Sequence, residues 1–81
     1  MKVRVQFFSH LKELAAASEL ELEMPPDAST GDLLEELYQR TPALRAWDQS
    51  ILIGAGVEFV RRDHVLQPNE EIAIMPPVQG G

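Results

Sequence analysis

The sequence predicts an α+β domain in which one main helix packs across one face of a mixed four- to five-stranded sheet. Three observations carry this expectation. Apolar and polar residues alternate strictly at both ends of the first quarter of the chain, over residues 2–7 and 19–24. Leu33, Leu34, Leu37 and Tyr38 then recur at helical spacing. Short apolar runs at 51–55, 59–60 and 72–75 return to strand-like lengths in the second half. One amphipathic helix cannot hide both faces of a sheet, so one face is expected to stay open.

Each element has a local cause. In residues 2–8, Val3, Val5 and Phe7 share one face while Lys2, Arg4 and Gln6 share the other, as in a half-buried strand. Leu11, Leu14 and Ala15 give a short helical turn. A second strand is expected at 20–24, with Glu19, Glu21 and Glu23 outward, and Pro25–Pro26 ends it because proline cannot donate to a ladder. The main helix starts near Ser29, Thr30, Gly31 and Asp32. Ser29 followed by Asp32 fits a capping pattern, although Thr30 is an equal candidate for the cap. Glu35 and Glu36 lie near the positive end of the helix dipole, Arg40 sits in the last turn, and Thr41–Pro42 stops the helix. Residues 43–50 hold the single tryptophan, Trp47, in a packed connection. Residues 51–55 form a strand with little solvent exposure, Gly56 offers a turn, and Phe59–Val60 resumes as a short strand. Val65–Leu66 reads as a brief edge element. Pro68–Asn69 suits a reverse turn, proline fixing φ and asparagine tolerating a positive one. The last strand, 72–75, ends at Pro76–Pro77. A right-handed crossover through the helix would set the first and last strands side by side and parallel.

Composition narrows the function. Eighty-one residues make one domain, expected over 1–75 with a tail over 76–81. With no cysteine, disulfides, thiolate metal sites and cysteine nucleophiles are excluded. The net charge of −6, from seven Lys plus Arg against thirteen Asp plus Glu, disfavours nucleic acid and would steer a basic protein partner. No apolar run approaches the roughly 20 residues that span a bilayer, and no signal-like stretch opens the chain. A soluble cytoplasmic protein without a membrane role is the expectation.

The chain closes on Pro76, Pro77, Val78, Gln79, Gly80 and Gly81. Two glycines without Cβ make the slimmest thread a polypeptide offers, able to enter a narrow site and present an α-carboxylate there. This ending resembles the Pro-Pro-Val-x-Gly-Gly tail of the small, sulfur-carrying subunit of molybdopterin synthase, a ubiquitin-like β-grasp family. Val3, Val5, Phe7 and Phe8 near the start, Asp32–Leu33–Leu34 on the helix, Asp63, His64 and Leu66 in the late loop, and Glu71–Ile72–Ala73 extend the likeness over nearly the whole length. Ala55–Gly56 stands where the family commonly has valine-asparagine, and Asn69–Glu70 where it has glycine-aspartate. These departures touch turns and leave the tail intact.

The resemblance implies a β-grasp fold and a non-catalytic sulfur-donor subunit holding no cofactor of its own. Gly81 would be the reacting residue. An ATP-dependent adenylating enzyme would activate its carboxylate, and a sulfur donor enzyme would convert it to a thiocarboxylate. The large subunit of the synthase, within a heterotetramer, would then take the sulfur for a cyclic pyranopterin. Pro76 and Pro77 would stiffen the exit from the sheet, Val78 seat in an apolar pocket, Gln79 fill the channel and Gly80 pass its tightest point. Three rivals stay open: a ubiquitin-like modifier forming isopeptide bonds through Gly81, a thiamine-pathway sulfur carrier, and a plain acidic interaction module.

A partner surface is also expected. If Val3, Val5 and Phe7 point to the helix, Phe8 points to the open face. If Ile72 and Ile74 point inward, Ala73 and Met75 point outward. Phe8 and Met75 would then meet beside the tail, as apolar residues of a binding interface do. The other candidates carry less. His10 and His64 lack the cysteines and paired spacing of a metal site, so no metal is expected. Asp63 and His64 read as loop residues, Arg61–Arg62 as a solvated face or part of the interface, and Glu21 with Glu23 as a solvent face.

Overall fold

The computed structural model describes residues 1–77. Along the chain run β1 (Lys2–Phe7), α1 (His10–Ala15), β2 (Glu19–Glu23), α2 (Thr30–Arg40), a 3-10 helix (Pro42–Trp47), β3 (Leu52–Ala55), β4 (Glu58–Val60) and β5 (Glu71–Met75). The strands form one five-stranded sheet in the order β2-β1-β5-β3-β4. β1 and β5 are parallel at its centre, with Val5 opposite Ile72 and Phe7 opposite Ile74. The other three pairings are antiparallel.

Alternation decides what each strand buries. Val3, Val5, Phe7, Ile72 and Ile74 are almost fully buried, and they meet Leu33, Leu34, Leu37 and Tyr38 from α2 in one core. Truncating any of the core leucines to alanine removes about 2–5 kcal/mol. Most of the 3-10 helix falls within residues 43–50, expected only as a packed connection, and its Leu44 is buried in the core cluster.

The start of α2 is resolved in favour of Ser29. Its hydroxyl accepts from the Asp32 amide at 3.1 Å, and the Asp32 carboxylate accepts from the Ser29 amide at 2.9 Å, a reciprocal capping box. Thr30, the other candidate, is instead the buried first helical residue. Its amide donates to the His64 carbonyl and its hydroxyl to the Arg61 carbonyl. The Gly31 amide donates to the Arg62 carbonyl at 2.9 Å, and a Cβ on Gly31 would approach that oxygen to 3.2 Å. The helix start is thereby stitched to the loop after β4. The expected edge element at 65–66 is a single bridge between Ser29 and Val65.

Both turn expectations hold. Asn69 has φ 63, and the Glu70 amide closes the turn on the Gln67 carbonyl at 3.1 Å. Gly56, at φ 64, opens the two-residue loop between β3 and β4.

Candidate functional site

The open face of the sheet divides into two halves. Toward β2, Arg4 bridges Glu71 at 3.2 Å and Glu21 at 3.5 Å. The field of Glu19, and then the hydrogen bond to Glu21, raise the Arg4 pKa further. This half is a solvated charge ladder.

The other half is apolar. Strand register sets Gln6 opposite Ala73, Ala73 opposite Gly54, and Gly54 opposite Phe59. The two smallest residues therefore occupy the middle of one cross-sheet row. They leave a trough of about 270 Å³, rimmed by Phe8, Met75, Val57 and Phe59. Phe8 is 44% exposed and Phe59 69% exposed, high values for aromatic side chains.

At the end of β5 the trough gives way to a second cavity of about 490 Å³, at the root of the tail. Phe8 and Met75 line both spaces. Pro76 and Pro77 form part of the second cavity, and His10 and Trp47 line it as well. The His10 and Trp47 rings are in contact, their centroids 4.3 Å apart and their planes tilted by 54°. A third cavity, of about 500 Å³, lies along β3 and β4 and shares no lining residue with the tail root.

Phe8 and Met75 thus lie together, with Pro76 and Pro77 beside them. Val78, Gln79, Gly80 and Gly81 lie outside the described residues. His64 is a loop residue whose Nε2 is 3.0 Å from Glu70 Oε2. Arg61 and Arg62 are exposed, in keeping with the reading of a solvated face, and Arg62 also clamps the segment after the 3-10 helix. Its guanidinium donates to Asp48 Oδ1 at 2.7 Å and also to the Asp48 carbonyl, while Tyr38 donates to the same carboxylate oxygen at 2.6 Å. These bonds from Tyr38 and then Arg62 hold the Asp48 carboxyl below the usual range. Burial, followed by the bond to Asp48, pushes the Tyr38 hydroxyl up.

Sequence reasoning did not place Phe59 and Val57 at the trough, or His10 and Trp47 at the tail root. For Phe59 a signal existed, because a two-residue loop at Gly56–Val57 places Phe59 opposite Gly54 on the open face. For the His10–Trp47 pair no periodic signal existed.

A mixed sheet wrapped on one helix, with parallel first and last strands at its centre, defines a ubiquitin-like β-grasp domain. The chain belongs to the ThiS family, whose model matches residues 5–81. It is 31% identical to the molybdopterin synthase sulfur carrier subunit of Chlamydomonas reinhardtii, over all of both chains. Among solved structures it resembles a Pyrococcus furiosus protein assigned as molybdopterin converting factor, subunit 1, at 28% identity. The TM-score is 0.88, over 96% of this chain and 99% of that one. It also resembles SAMP1 of Haloferax volcanii at 27% identity, with a TM-score of 0.86 over all of both chains.

Proposed function

We propose that this chain is the sulfur carrier subunit of a molybdopterin synthase, with Gly81 as the sulfur-bearing residue. The observation that carries the reading is the full-length likeness to a sulfur carrier subunit, coupled to the sequence Pro76-Pro77-Val78-Gln79-Gly80-Gly81.

The chemistry follows from the inertness of a carboxylate, which resists attack because the nucleophile must add charge to an anion. The Gly81 carboxylate oxygen attacks the α-phosphorus of ATP in an adenylating enzyme. Pyrophosphate leaves, and a mixed anhydride with AMP remains. A sulfide-equivalent nucleophile from a sulfur donor enzyme then displaces AMP, so that one carboxylate oxygen is replaced by sulfur. The large synthase subunit takes this sulfur into a cyclic pyranopterin. The present chain contributes no general acid or base to these steps; it carries the group and delivers it.

Delivery needs a docking surface that leaves the tail free to enter a second protein. The apolar half of the open face, with Phe8, Met75 and Phe59 on its rim, suits that task because it lies beside Pro76. Aromatic residues and methionine are enriched at protein interfaces, and aromatic anchors there supply large desolvated area.

The test is genetic. In a strain lacking this protein, the full chain should restore molybdenum cofactor synthesis, and a variant without Gly80 and Gly81 should not. Restoration by the shortened variant would sink the proposal. The likeness to SAMP1 favours a second reading as a protein modifier; Gly-Gly remnants on cellular lysines, traced to this chain, would support it.

A further inference from the structure

Two unfavourable local features coincide at the root of the tail. Ser9, a non-glycine residue, stands at φ 53 and ψ −140, in backbone territory that side chains with a Cβ avoid. The next residue, His10, buries its Nε2 with no hydrogen-bond partner among the described residues. Buried polar atoms are almost always paired, so an unpaired one calls for a reason. Strained and unsatisfied groups gather where geometry serves function rather than stability.

The main core does not supply the reason. His10 is only partly buried, and Trp47 packs against the edge of the core rather than within it. Phe8 continues the ladder with β5, its amide donating to the Ile74 carbonyl at 3.1 Å. Ser9 then turns the chain abruptly, and the imidazole comes to rest on Trp47. The two rings line the same cavity as Pro76 and Pro77.

We infer that Trp47, held by His10, is a positioning residue for the tail: the indole–imidazole pair is a wall limiting the angle at which Pro76–Pro77 leave the sheet. The inference rests on the sulfur-carrier reading. Four residues separate Pro77 from the end of Gly81, a reach of at most about 14 Å. A misplacement of about 1 Å at a reacting group can reduce a rate by about a hundredfold. Pro76 and Pro77 fix φ at the root, so their exit angle sets the direction in which the last four residues set out.

The experiment uses the thiocarboxylated carrier and the large synthase subunit in single-turnover sulfur transfer. Trp47→Ala should lower the rate at saturating partner by about tenfold or more, while the half-saturating concentration changes less than about twofold. Trp47→Phe should recover most of the rate, and His10→Ala should show an intermediate loss. Circular dichroism confirms folding; if Trp47→Ala does not fold, Trp47→Leu and His10→Ala carry the same comparison. A wild-type rate at saturation in the folded variants overturns the inference. So does a loss confined to the half-saturating concentration, which would make the wall an ordinary docking contact. If the thiocarboxylated carrier of wild-type sequence transfers nothing, the sulfur-carrier reading fails, and the inference built on it is overturned as well.

Discussion

The methyl end of Met75 lies over Gly54, so near that a Cβ on Gly54 would come within 3.2 Å of Met75 Cε. The same Cβ would be 3.6 Å from the Ala73 Cβ. Glycine at this point is what keeps the floor of the trough low and lets the methionine fold across the sheet. Gly54→Val should therefore raise the floor and tip Met75 outward. We expect partner affinity to fall by about tenfold or more, with stability altered by no more than about 1–3 kcal/mol, the cost of inserting methyl groups into a packed site. Calorimetric titration against the large subunit, beside a urea melt, checks both.

Charge on the rim should be worse for binding and milder for folding. Phe8→Asp, Met75→Asp and Phe59→Asp each place a carboxylate where a partner would have to strip its water. Each should weaken binding by about 2 kcal/mol or more, the range of interface hot spots, while folding persists because all three side chains lie on the open face. Retained affinity for the large subunit in all three variants would reject the patch.

The Tyr38–Asp48–Arg62 cluster ties α2 to the segment after the 3-10 helix and to the loop after β4. Asp48→Ala leaves the Tyr38 hydroxyl and the Arg62 guanidinium without their shared acceptor, and should cost about 1–3 kcal/mol in a urea melt. Tyr38→Phe, which removes one donor while Arg62 still satisfies the carboxylate, should cost about 1 kcal/mol.

The same cluster gives stability a pH profile. The folded Asp48 pKa lies below its ordinary value, so its contribution is present above the usual carboxylate range and fades as the pH falls through it. Tyr38 has the opposite sign. Its folded pKa is raised, so its contribution is intact below the ordinary tyrosine value of about 10 and is lost as the pH climbs above it. Melts across pH should show Asp48→Asn flattening the acid limb and Tyr38→Phe flattening the alkaline limb.

Loss of the capping box tests how α2 begins. Ser29→Ala should destabilise by about 1 kcal/mol, and Ser29→Asp, which keeps an acceptor, by much less. Equal losses in the two variants would contradict the role of the hydroxyl as an acceptor.

Much of this architecture was legible because its strands obey a period of two. The alternation of Val3, Val5 and Phe7, and of Ile72 and Ile74, fixes which face each strand buries, and so leaves Phe8 and Met75 on the other side. Ser29 and Thr30 could not be separated by residue type, since either hydroxyl can cap a helix; the loop after β4, which claims Thr30, decides it. Arg62 is a surface charge, as its sequence suggests, but its pairing with Asp48, fourteen residues away, has no local signal. The pairing of His10 with Trp47 was not legible for a related reason: neither a 3-10 segment nor a strained turn at Ser9 has a periodic signature. The clamp and the wall at the tail root are products of tertiary contact, while the tail motif itself is written in plain sequence.

Mass spectrometry of the intact chain tests the central claim most directly. After incubation with an adenylating enzyme, ATP and a sulfur donor enzyme, the chain should gain the mass of one oxygen exchanged for sulfur, and fragmentation should place the exchange at Gly81. An unchanged mass in the presence of demonstrably active enzymes would contradict the assignment of this chain as a sulfur carrier.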